Sequence, residues 1–184
     1  MTETTFALCK MAFPGILMWL TGMCASNQAL DAPHVDLSKG GEILRQEISV
    51  PMNERYEFGL HFKFQNREAY ENSGNSGRPS GSNHAACNDG AIYAALSPND
   101  RRETGAELDL EVVISSIEGK VLRSNRFQSR CLLGWGELTK IRRFGYFEIA
   151  KGKHIITVLN HSPISPEAGV GTTLFLAGVG AGYP

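Results

Sequence analysis

Residues 56–64 read Tyr56-Glu57-Phe58-Gly59-Leu60-His61-Phe62-Lys63-Phe64. Large apolar side chains hold every second position, and Glu57, Gly59, His61 and Lys63 fill the gaps. Side chains on an extended strand point alternately to opposite faces, so this period of two places all five apolar groups on one side. A helix would scatter the same five around its circumference. The stretch predicts a strand with one face on a core and the other on water, where His61 reads as a solvated residue beside Lys63.

Outward from this strand the same character recurs. Residues 42–50 predict a strand ended by Pro51. Leu108, Leu110, Val112 and Ile114 alternate with Asp109 and Glu111, which predicts another strand with Glu107, Asp109 and Glu111 on its solvent side. Glu118-Gly119 marks a turn, residues 120–123 and 125–128 a short strand, and residues 132–136 an apolar turn or bulge. Residues 140–149, 154–159 and 172–177 supply the remaining strands. Between the aromatic strand and residue 106 the character changes. Residues 72–83 read NSGNSGRPSGSN, which predicts a long mobile surface loop, and the small apolar residues of 85–96 suit a short helix. Seven or eight short strands without helices long enough to cross over between parallel neighbours predict an all-β chain. The expected architecture is an antiparallel β-sandwich, immunoglobulin-like in general plan, with one long polar loop.

The chain has 184 residues, of which 42% are hydrophobic and 20% charged, enough for one domain with its own core. A formal net charge of -1 gives no general attraction to nucleic acid or an anionic membrane. Residues 11–23, MAFPGILMWLTGM, carry no charge and follow Lys10. That run is shorter than the ~20 apolar residues a membrane span needs, and it fits the apolar part of a secretory signal. A buried N-terminal helix broken near Pro14 is the alternative. The expected division is a signal peptide over 1–24, a polar tether over 25–41 and a β-sandwich over 42–184.

Four cysteines follow this division: Cys9 and Cys24 fall in the leader, Cys87 and Cys131 in the mature chain. An even pair in an exported context points to a Cys87–Cys131 disulfide, with two separate buried thiols as the alternative. The bond would close a loop of about 44 residues, worth roughly 3–4 kcal/mol through restriction of the unfolded chain. The stretch Leu20-Thr21-Gly22-Met23-Cys24-Ala25-Ser26 resembles a bacterial lipoprotein signal, which implies lipidation of Cys24 and a tether to the outer membrane. It departs from that pattern in having Leu20 four residues before the cysteine and Met23 immediately before it. Cleavage near Ala25 or Ala29 gives a soluble periplasmic protein instead.

No reactive constellation stands out. His84, Cys87 and Asp89 are competent zinc ligands but lack a second ligand pair at a recognised spacing, so neither metal nor cofactor is expected. The pattern Gly-x-Ser-x-Gly is absent, and His154 and His161 bracket one strand, so no catalytic residue is assigned and no enzyme is expected. Binding has better candidates. Lys140, Arg142 and Arg143, with Arg126 and Arg130 on an earlier strand, would form a basic patch facing acids at 107–111 if the two strands pair. Trp135 between two glycines suits either a core position near the disulfide or a surface anchor.

In order, the aromatic strand, a second strand over 107–114 and a Gly-Lys-x-Ile/Tyr-x-Ile/Val-like stretch over 152–158 resemble an uncharacterised family of bacterial envelope domains, often lipoproteins. The likeness spans about residues 42–176. It implies a sandwich fold and an envelope location and assigns no reaction. The expected protein is therefore an exported binder of another protein, periplasmic or tethered, and of immunity type: it would neutralise a secreted toxin by occlusion. The alternative is a carbohydrate or cell-wall binding module that stacks sugars on Trp135, Tyr146 and Tyr183, and an unrecognised hydrolase stands third.

Overall fold

The computed structural model describes residues 28–30, 32–51, 53–77, 90–98, 100, 104–130, 132 and 134–178. They form an antiparallel β-sandwich, as the alternation predicts. One sheet holds β1 (Gln28–Leu30), β9 (Val170–Gly178), β3 (Glu54–Phe64), β7 (Thr139–Ile149) and β6 (Gly134–Trp135), in that spatial order. The other holds β2 (Gly41–Val50), β8 (Gly152–Asn160), β4 (Leu108–Ser116) and β5 (Val121–Ser129). Two short helices, α1 (Arg67–Asn72) and α2 (Gly90–Ala95), lie in the long β3–β4 connection. The side chain of Asn66 caps α1 by accepting from the Ala69 amide at 2.9 Å.

The aromatic strand sits at the centre of its sheet, paired with β9 on one side and β7 on the other. Tyr56, Phe58, Leu60, Phe62 and Phe64 are all buried and face Leu108, Leu110, Val112 and Ile114 across the sandwich. Each such side chain removed from water stabilises the fold by about 1.5–3 kcal/mol before the cost of ordering it. Phe58, Phe127, Phe144 and Phe147 close the β5–β7 side with ring centroids 5.5 to 6.4 Å apart.

Three expectations need correcting. The described part of the segment expected to be a tether, residues 28–30 and 32–41, is packed into the fold: β1 pairs with β9, His34 bridges to Thr173, and Leu30, Val35 and Leu37 are core residues. The outer face of the aromatic strand is only partly wet. The Phe175 ring lies across Gly59, where a Cβ would collide with it, and against His61 at 4.7 Å. His61 is half-buried, and burial, aided by the charge of Lys63, pushes its imidazole towards the neutral form. Residues 73–77, expected in a mobile loop, are pinned by the contacts described below; the remainder of that polar run, residues 78–83, lies outside the described residues.

Candidate functional site

Strand β7 carries three of the expected binding residues, and its register decides where they go. Gly145 opposes Phe58 and Arg143 opposes Gly59, so Phe144 is an extra residue on the β7 side, a β-bulge. Beyond the bulge, Arg142 opposes Leu60 and Lys140 opposes Phe62, both inward positions. Lys140 and Arg142 therefore point into one end of the sandwich and are fully buried, at 1% and 0% exposure. A surface patch built on them is not what the fold makes.

Their charges are held by main-chain oxygens and, for Lys140, by one side-chain hydroxyl as well. Arg142 donates from Nη2 to the Asn75 carbonyl at 2.6 Å, from Nη1 to those of Ala106 at 2.6 Å and Ser129 at 3.2 Å, and from Nε to that of Ser76 at 3.4 Å. Burial pushes its guanidinium down to about 9, opposed by the charge of Glu167, so it stays charged at neutral pH. Lys140 donates to Ser76 Oγ at 3.0 Å and to the Gly77 carbonyl at 2.9 Å, with its ammonium over the rings of Tyr70 (4.7 Å) and Phe64 (5.1 Å). Gly105 must lack a side chain, because a Cβ there would overlap the Arg142 guanidinium and the Asn75 carbonyl.

The loop so pinned turns three donors outward onto one carboxylate. Glu167 Oε1 accepts the Gly74 and Asn75 amides, both at 2.8 Å, and its Oε2 accepts the Ser73 hydroxyl at 2.5 Å. Asn75 Nδ2 donates to the Ser165 carbonyl at 2.6 Å, tying the same two loops together. Two grooves flank Glu167. The smaller, ≈ 230 Å³, is lined by His34, Asp36, Phe62, Ile164 and Thr172 among others. The larger, ≈ 470 Å³, is lined by Gln65, Asn66, Glu68, Asn72 and Ser73 among others.

The other basic residues are dispersed. Strands β5 and β7 belong to different sheets, so the cations expected on one patch do not share a face. Nor do acids and bases form two opposed patches; they interleave across β4 and β5. Arg126 grips Asp109 through two bonds of 2.7 Å, Gln128 adds a third at 3.2 Å, and Arg130 pairs with Glu107 and lies over the Tyr93 ring at 4.5 Å. Glu111 accepts from Ser124 at 2.9 Å and lies 3.0 Å from His161 Nε2. Glu107, Asp109 and Glu111, expected on the solvent side, thus lie in a cross-strand ladder in which Asp109 is buried. Arg143 faces Glu57 at 3.6 Å on the outer side of the first sheet. The Tyr146 ring is 45% exposed but carries the Arg55 guanidinium at 3.9 Å on one face.

Both margins of the second sheet, β2 and β5, are edge strands, and β5 is the more exposed of the two. Among the described residues β5 pairs with β4 alone, and residues 121–126 are exposed. At its hairpin tip Ile117, Val121 and Leu122 are 56%, 57% and 41% exposed. Sequence reading noticed the charges of this strand and missed its edge position, which pairing decides and composition does not. Trp135 lies in β6 opposite Lys140 in the β7 register. Cys24, His84, Cys87, Asp89, Cys131 and Tyr183 lie outside the described residues, and with them the disulfide, lipidation and zinc-ligand readings. Among the described residues no three His, Cys, Asp or Glu side chains converge as a metal site would need, and no helix is long and apolar enough to cross a membrane.

Comparison with known proteins agrees with this architecture. A crystal structure of a protein from Sulfurospirillum deleyianum superposes with a TM-score of 0.58 at 16% identity, covering 80% of this chain and 96% of that one. At that identity the likeness shows a common fold. No curated protein matches the chain. A family model described as a domain of unknown function (DUF5625) matches residues 32–177, from the bend before His34 almost to the end of β9. The chain belongs to that family.

Proposed function

We propose that the protein is an exported binding module that docks another protein along the exposed edge of β5, over residues 121–126. The observation that carries this reading is a nine-residue strand at the margin of its sheet, exposed over residues 121–126 and apolar at its tip. An edge strand presents unpaired amides and carbonyls, and an extended partner segment adds to it by main-chain hydrogen bonds. Exposed Val121 and Leu122 offer side-chain contacts, and the adjacent, exposed Lys120 and Arg123 add positive charge that favours an acidic segment.

The uncharged run at 11–23 after Lys10 supports export, and the lipoprotein-like sequence around Cys24 supports a tether to the outer membrane. A small binder in that compartment suits an immunity role, in which it occludes the working surface of a secreted toxin. The test compares the full chain with a Val121→Asp/Leu122→Asp variant, both checked for an unchanged thermal midpoint. Each is used to retain proteins from envelope extract, and the retained protein is then shown to protect β5 amides from exchange. A partner held by the native chain and lost by the variant is the expected result. A partner retained equally by both, or β5 amides left unprotected in the complex, overturns the reading.

A further inference from the structure

We infer that residues 73–75 form a receptor for a ligand carboxylate, and that Glu167 fills it as an internal stand-in. The inference is independent of docking on β5. It starts from convergence: two successive amides on one carboxylate oxygen and a hydroxyl on the other make a concave nest that fits a planar two-oxygen anion.

The nest is pre-formed by contacts that do not involve Glu167. The Ser73 amide closes the end of α1 on the Ala69 carbonyl at 3.1 Å. The Asn75 carbonyl is held by Arg142 and by the Ala106 amide at 3.0 Å, and Lys140 holds Ser76 and Gly77. A receptor whose donors are already aimed avoids the ordering cost a flexible loop incurs on binding. Behind it lies the buried charge of Arg142, whose hydrogen-bond acceptors are neutral carbonyls, so the nest keeps a positive potential when Glu167 leaves.

Access follows from the two grooves, which meet at Glu167. A ligand entering along one leaves the other for the displaced side chain. Each groove also carries an acid, Asp36 in the smaller and Glu68 in the larger. Their repulsion grows with ligand charge, which favours a singly charged carboxylate over phosphate. A peptide C-terminus and an Asp or Glu side chain both supply that group.

Glu167 competes with any such ligand, so the apparent affinity falls by the fraction of molecules in which the nest is open. The test is amide NMR of Gly74 and Asn75 during titration with sodium acetate against sodium chloride at constant ionic strength. Native protein is compared with Glu167→Ala and with Glu167→Gln, which keeps an acceptor without the charge. In Glu167→Ala acetate shifts both resonances saturably, or restores them if the loop has loosened, with affinity roughly tenfold or more above native. Glu167→Gln falls between, and phosphate binds more weakly than acetate. A blocked peptide with a free C-terminus and one with an internal Asp and an amidated end then separate the two carboxylate sources. No saturable response in either variant, or equal responses in all three proteins, overturns the inference and leaves Glu167 as a clamp between two loops.

Discussion

Arg142 and Arg126 both lie on strands and both make multiple hydrogen bonds, yet they stand in opposite environments. Arg142 is sealed inside one end of the sandwich and donates to four main-chain carbonyls. Arg126 is 56% exposed and grips the Asp109 carboxylate on the outer face of the other sheet. The conventional ion pair is the weaker device, because water and salt screen it and its long side chain gives up freedom to form it. The buried cation with neutral partners is the stronger one, because it supplies donors to four carbonyls at once in a place that water does not reach. A basic residue on this fold is thus a fastening or a surface charge according to which way its strand faces.

The most direct way to break the contrast is Arg142→Met, which keeps the length of the apolar stem and removes the five donors. Stability falls by about 3 kcal/mol or more, since four carbonyls lose the Arg142 donor at once. Urea unfolding measures the loss, and hydrogen exchange shows it concentrated at residues 73–77. A midpoint within error of the native one would mean that the carbonyls are satisfied without Arg142, and the contrast would collapse.

Gly105→Ala attacks the same cluster without altering a charge. Its new methyl displaces the guanidinium from the Asn75 carbonyl and forces the loop outward. Overpacking of this kind costs about 1–3 kcal/mol, less than deletion because most of the hydrogen bonds can reform around the intrusion. A larger loss than that of Arg142→Met would show that loop position, more than cation pairing, dominates this end of the molecule.

The placement of Lys140 and Arg142 also marks where sequence reading stops. The aromatic strand was legible because its five apolar residues keep strict alternation, and β3 and β4 follow it. On β7, strict alternation counted back from inward Phe147 and Ile149 turns Gly145 and Arg143 inward and Arg142 and Lys140 outward. The bulge at Phe144 inverts that parity, and nothing in Arg142-Arg143-Phe144-Gly145 announces it. Charge then reinforced the wrong face, since lysine and arginine are rarely buried. β1 escaped for a simpler reason: a three-residue strand carries no periodic signal, and Pro33 with Gly40-Gly41 gives its surroundings the composition of a linker. The Glu167 nest could not be read at all, because its donors and its acceptor are some 90 residues apart and two of its three donors are main-chain amides.

The smallest effect belongs to the exposed side of the comparison, and pH isolates it. Arg126, then Gln128, hold the Asp109 carboxyl below its usual range by hydrogen bonding, against an opposing push from burial. Ser124 and His161 do the same for Glu111. A carboxyl whose folded pKa is depressed adds stability that is present above its unfolded value and lost as pH falls through the folded one. Arg142, at about 9, carries its proton in both folded and unfolded chains throughout the acid range, so it adds no pH dependence there. The acid limb of the stability curve therefore reports carboxylates, Asp109 and Glu111 of the β4–β5 ladder together with Asp36 and Glu118, and is blind to the buried guanidinium. Asp109→Asn flattens that limb and lowers the neutral urea midpoint by less than either variant above, and high salt shrinks the difference further. An unchanged acid limb would place the acid-sensitive carboxylates elsewhere and would remove the ladder from the account of what holds the exposed sheet together.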